Sequence, residues 1–158
     1  KAFDIERYVD GHLDDLRAAI DHDRTASPMT LIAPEAISDA SAAFRDHLAA
    51  AARAAAPAFD TSADPDGAWC LAVVLKRCAA LGDARTLLQR LMRSGRETDL
   101  RRCAFHLAEI AMAHQDWSDA ERQLRQCLEI APDHRKALYN LDFAKRREVP
   151  PHLTELAG

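Results

Sequence analysis

Between Arg101 and His134, apolar residues recur at helical spacing in two blocks divided by His114-Gln115-Asp116, and no other pattern in the chain restricts its fold as much. Two short helices meeting at a tight turn satisfy it. The first block sets Ala104, Leu107, Ala108 and Ala111 on one stripe, and the second sets Ala120, Leu124, Cys127 and Leu128 on another. Ala108 and Ala120 allow two antiparallel helices to approach closely, with Leu124 filling the space beside them. Pro132 follows Glu129-Ile130-Ala131 and ends the second helix near that point.

The spacing Ala104-x-x-Leu107-Ala108-x-x-Ala111, then Ala120-x-x-x-Leu124, then Pro132 resembles the tetratricopeptide repeat. Asp116-Trp117-Ser118-Asp119-Ala120 is similar to that family's turn between helices, with Trp117 in the usual aromatic place. The departures all go to small residues: Ala104 stands for the large aromatic, Ala108 for Gly and Ala111 for Tyr. The resemblance implies an all-α fold, a right-handed α-α superhelix of helical hairpins.

Stepping on from Ala104 and Leu107 by about 34 residues lands on Leu138 and Leu141, inside a helix predicted over 135–147. With Asp142 in place of the small residue and Lys145-Arg146-Arg147 following, it is expected to be a polar capping helix with no partner after it. Stepping back, Leu71-x-x-Val74-Leu75-x-x-Cys78, the turn Leu81-Gly82-Asp83 and Leu87-x-x-x-Leu91 form a degenerate repeat over 67–100. Ser38-Asp39-Ala40-x-x-x-Phe44 echoes Ser118-Asp119-Ala120-x-x-x-Leu124. Pro34–Ala56 is therefore expected to be the second helix of an irregular hairpin over 1–56, whose first helix is the amphipathic stretch Phe3–His22. Asp23–Ala33 and Pro57–Gly67 read as connections. The expectation is about seven helices, no sheet even at the β-branched Leu71–Leu75 stretch, and a single domain over 1–158.

Length favours one core, and few Gly or Pro among abundant Ala, Leu and Arg favour helix. Residues 1–66 carry six Lys/Arg against 13 Asp/Glu, and residues 67–158 carry 15 against 12. The chain is electrically polarised without a basic footprint for nucleic acid, and the short Lys145-Arg146-Arg147 run is followed at once by Glu148. Cys70, Cys78, Cys103 and Cys127 form no CxxC pair and sit at apolar-periodic positions, so they read as buried thiols in a reducing, cytoplasmic setting. No apolar run is long enough to span a membrane. The chain begins at Lys1 with no charged-then-apolar leader, which suggests an excised piece of a longer protein.

No catalytic constellation is visible: there is no G-x-S-x-G, no Gly-rich phosphate loop, and Asp21-His22-Asp23 reads as a polar helix end. Cys103, His106 and Glu109 share a helix face but lack the further ligands a metal needs, and no cofactor is expected. The resemblance implies instead a groove lined by the first helices of successive repeats, in which a peptide or partner protein lies. The expected partner-binding residues are Arg102, Phe105, Glu109 and Met112 of the best repeat. Lys136, Tyr139, Asn140 and Phe143 of the capping helix join them, with Trp69, Lys76 and Arg77 of the preceding first helix. Such a mixture suits a ligand with acidic and apolar groups. The leading expectation is a non-enzymatic protein-interaction scaffold. The alternatives are an accessory or dimerisation domain of a larger enzyme, such as a transferase or hydroxylase, and head-to-tail self-association driven by the charge polarity.

Overall fold

The computed structural model describes residues 42–157, and within them every regular element is helical. In chain order these are α1 (Ala42–Ala55), a 3-10 turn at Ala56–Ala58, α2 (Pro65–Arg77), α3 (Leu81–Met92), α4 (Glu97–Ala113), α5 (Trp117–Ile130), α6 (Arg135–Arg146), a 3-10 turn at Pro151–Leu153, and α7 (Thr154–Ala157). The fold is all-α. The expected helix Phe3–His22, the connection Asp23–Ala33 and the start of the Pro34–Ala56 helix lie outside the described residues. Contacts divide the chain into two compact units after Leu87, within α3.

In the first unit, local chemistry sets the entry to α2. Asp60 accepts the backbone N–H groups of Ser62 and Ala63 at 2.9 and 3.1 Å and so turns the chain. Asp64 then accepts the Gly67 N–H at 2.9 Å as the cap, and Pro65 fills the first helical position, where its missing N–H costs nothing. α1 packs on α2, burying Leu48, Ala49 and Ala52 from one helix and Ala68, Leu71, Ala72 and Leu75 from the other. The β-branched Val73 and Val74 are buried within the helix rather than in a strand. Arg53 Nε donates to Asp83 Oδ2 at 3.1 Å, an exposed pair worth less than about 1 kcal/mol.

The second unit is built on the α4/α5 hairpin. Ala104, Ala108 and Ala111 face Ala120, Leu124 and Cys127 in one buried cluster, the stripes expected from the periodicity. α4 begins at Glu97 rather than near Arg101. Gly95, at φ 69°, lets the chain turn out of α3. Acidic residues in the first turn then favour the positive helix end, and Asp99 of that turn is fully buried. It accepts from Ser94 Oγ at 2.9 Å, Arg96 Nε at 2.6 Å and an Arg102 terminal nitrogen at 2.8 Å. Burial alone pushes its carboxyl up, but the Arg96 and Ser94 bonds and the Arg102 charge outweigh it and hold the group below the ordinary carboxylate value.

Three helices end in the same way. Ala79, Gln115 and Arg147 each take a left-handed conformation, at φ 60°, 58° and 56°. After each of α2, α4 and α6 the next two N–H groups return to the last turn. Gln115 bonds Met112 and Asp116 bonds Ala111, and the same pair of bonds recurs at Ala79–Ala80 and at Arg147–Glu148. These positions lie 36 and 32 residues apart. After the first two, Leu81 and Trp117 open the following helices, Trp117 behind the cap Asp116, which accepts the Asp119 N–H at 3.1 Å. After the third the chain does something else. Instead of leaving α6 without a partner, residues 149–157 fold back so that the Pro151–Leu153 turn and α7 both contact α4. Pro150 and Leu153 are buried there.

Candidate partner-binding surface

The eleven residues expected to bind a partner fall in different surroundings. Trp69, Lys76 and Arg77 belong to α2 of the first unit, with Lys76 buried and the other two half-buried. In the second unit, Met112 is fully buried and Phe105 nearly so. Both are packing residues of the hairpin core. Phe105 also stacks on His134, with ring centroids 5.0 Å apart, while His134 Nδ1 accepts the Ala137 N–H at 3.1 Å and caps α6. Arg102 is half-buried and engaged with Asp99. Helical spacing set Arg102, Phe105, Glu109 and Met112 apart from the Leu107-Ala108-Ala111 stripe, but α4 is enclosed on more than one side, so being off that stripe does not make a residue exposed.

Glu109 and Asn140, on α4 and α6, are also buried, yet they meet. Asn140 Nδ2 lies 3.4 Å from Glu109 Oε1, and His152 Nε2, from the folded-back segment, lies 3.2 Å from the same oxygen. His106 Nδ1 is 3.7 Å from the other carboxylate oxygen. Glu109 Oε1 is thus shared by a side chain of α6 and one of the Pro151–Leu153 turn. Asn140 Oδ1 is buried without a hydrogen-bond partner in the structure, an acceptor that desolvation makes costly to leave empty.

Around this polar centre α6 offers the accessible part of the surface. Lys136 is exposed, and Leu138 and Tyr139 are 49% and 48% exposed; among the described residues they are the large apolar side chains left open. The Tyr139 ring lies 4.9 Å from Phe143 and 6.2 Å from His152, and the Arg146 guanidinium sits 4.5 Å from the centre of the Phe143 ring. Arg146 also pairs with Asp142 at 3.1 Å and Glu148 at 3.2 Å, so the basic run is partly neutralised by its own neighbours. The sequence reading assigned no role to Pro150, His152 or Leu153. The signal available was two leucines, Leu153 and Leu156, just after Val149-Pro150-Pro151.

No set of three or more His, Cys, Asp or Glu side chains among the described residues is arranged to hold a metal ion. Burial pushes the Cys103 thiol up to about 12, and the Cys127 thiol upward as well, which disfavours the thiolate at both. No described helix is long and apolar enough to cross a membrane. Comparison with known proteins yields no match: no protein-family model, no curated protein and no solved structure corresponds to this chain.

Proposed function

We propose that this chain is a protein-interaction module that receives a peptide or a partner's segment on the face shared by α4 and α6. The observation that carries this is the exposure of Leu138 and Tyr139 on a helix whose Ala137, Asn140 and Ala144 are buried. A tyrosine held by neighbouring rings presents a large, pre-oriented contact area, and such residues commonly dominate binding energy. Lys136 on the same helix adds a cation, so the ligand chemistry that fits best is apolar side chains accompanied by an acidic group.

The test is a quantitative pull-down from native-source lysate, comparing the chain with a Lys136→Ala/Tyr139→Ala variant of unchanged helicity. Specific partners lost with the variant support the module; partners retained in equal amount reject this face. Truncating a buried interfacial aromatic typically costs at least about 2 kcal/mol, so a purified partner should bind the variant about 30-fold more weakly.

A further inference from the structure

Residues 149–157 lie against the face just described. The chain leaves α6 through the left-handed Arg147, and Leu153 enters the buried cluster that holds Phe105 and Met112, with Val149 and Leu156 packed at its edge. His152 reaches Glu109 at 3.2 Å and stands beside the Tyr139 ring. The polar and ring contacts of the segment therefore fall on Glu109 and Tyr139 of the proposed partner surface, while its apolar anchor enters the core beside Phe105 and Met112. Its own regular structure is slight: one 3-10 turn and a four-residue helix with no buried residue, far too short to hold together by backbone bonding alone. What keeps it in place is the seating of Pro150 and Leu153 and the half-exposed His152 contact.

We infer that residues 149–157 act as an intramolecular ligand, a displaceable segment seated on α4 whose departure opens the Leu153 seat and Glu109 beside the exposed Tyr139 to a partner. This rests on the interaction-module reading above and adds a regulator to it. The partner segment it mimics is short, a 3-10 turn running into a helical turn, with a leucine for the Leu153 seat and a hydrogen-bond donor for Glu109. Being tethered, the segment competes at an effective concentration in the millimolar range, which keeps weak external ligands out while a tight one displaces it.

The test uses a fluorescent synthetic peptide spanning residues 148–157, titrated by anisotropy into the unaltered chain and into a full-length His152→Ala/Leu153→Ser variant that empties the seat. The peptide should bind the emptied variant at least about tenfold more tightly, the factor set by removing a millimolar competitor from a site of roughly 100 μM affinity. A further Glu109→Gln change should weaken it again. Equal binding to both proteins, or none to a variant that keeps its helicity, overturns the proposal. If the variant loses helicity, amide exchange of the unaltered chain decides. Amides of residues 153–157 exchanging at least a hundredfold faster than those of α4 support a separately opening segment, and matched rates overturn it. If the peptide fails while the Lys136→Ala/Tyr139→Ala variant still loses its partners, self-occupancy falls and the interaction module stands. If the peptide succeeds and the pull-down does not respond, the segment is a ligand of this face but the partner surface lies elsewhere.

Discussion

Gln115 carries a cost that its position imposes. At φ 58° it sits where a Cβ crowds the following carbonyl oxygen, at roughly 1–2 kcal/mol relative to a right-handed residue, yet the turn into α5 requires that conformation. Gln115→Gly removes the crowding and gives back part of the gain through greater freedom of the unfolded chain. It should raise stability by about 0.5–1 kcal/mol in urea denaturation, while the β-branched Gln115→Val should lower it. Asp99 shows the opposite economy, a buried carboxylate whose three donors more than offset its desolvation. Its folded-state pKa is depressed, so the stability it contributes is fully present above the ordinary Asp value near 4 and is lost as pH falls through the lowered folded value. Asp99→Asn should therefore flatten the acid limb of a stability profile below about pH 4. Asp99→Ala should cost about 3 kcal/mol at pH 7, because it removes a buried acceptor shared by Ser94, Arg96 and Arg102. An unchanged acid limb in the Asn variant would assign the acid sensitivity to other groups. Neither residue announces itself in the sequence: nothing about a glutamine predicts a left-handed backbone, and an aspartate in a polar stretch reads as surface.

At the scale of elements, the α4/α5 pair was legible because its signal is local and periodic. Ala104, Ala108, Ala120 and Leu124 follow from spacing alone, and all four are fully buried. That contact sets two unequal sensitivities. Leu124→Ala leaves a cavity and should cost about 2–5 kcal/mol. Ala108→Leu inserts bulk where the two backbones approach and should cost about 1–3 kcal/mol or more by forcing them apart. Both are measured by chemical denaturation, and a neutral Ala108→Leu would mean that the helices are not closely apposed there. What the pattern could not deliver is equally local in cause. The start of α4 is not marked by the period because Glu97, Thr98 and Asp99 carry no apolar spacing; the bonds among Ser94, Arg96 and Asp99 and the turn at Gly95 place it. The 149–157 segment was missed because Pro150-Pro151 interrupts any period and the burial of Leu153 is a tertiary event. That omission also blurred the candidate site. With a returning segment against α4, helical spacing cannot separate Met112, a core residue, from Tyr139, an exposed one.

For the molecule as a whole, the buried thiols give a readout of how these local terms combine. Cys127 is fully enclosed in the hairpin cluster, and burial raises its pKa, so the closed state denies an alkylating reagent access and disfavours the thiolate. Reaction must pass through an opened form in which the thiol regains an ordinary pKa near 8.5. When reclosing is faster than alkylation, the labelling rate is the opened population multiplied by the thiolate fraction of the opened form. Two consequences follow for iodoacetamide labelling of Cys127 resolved by peptide mass spectrometry. The rate should climb about tenfold per pH unit below 8 and level off near 8.5–9, tracking the opened thiol rather than the raised folded-state value. It should also move with stability: about two- to fivefold slower in Gln115→Gly and at least about 30-fold faster in Leu124→Ala, as 0.5–1 and 2 kcal/mol require. Cys103, whose thiol burial pushes up to about 12, should show the same plateau. A rate that keeps rising steeply beyond pH 10, or that ignores both substitutions, would mean that these thiols are reached without opening the packing of α4 against α5, and the core drawn from the sequence would be looser than its burial indicates.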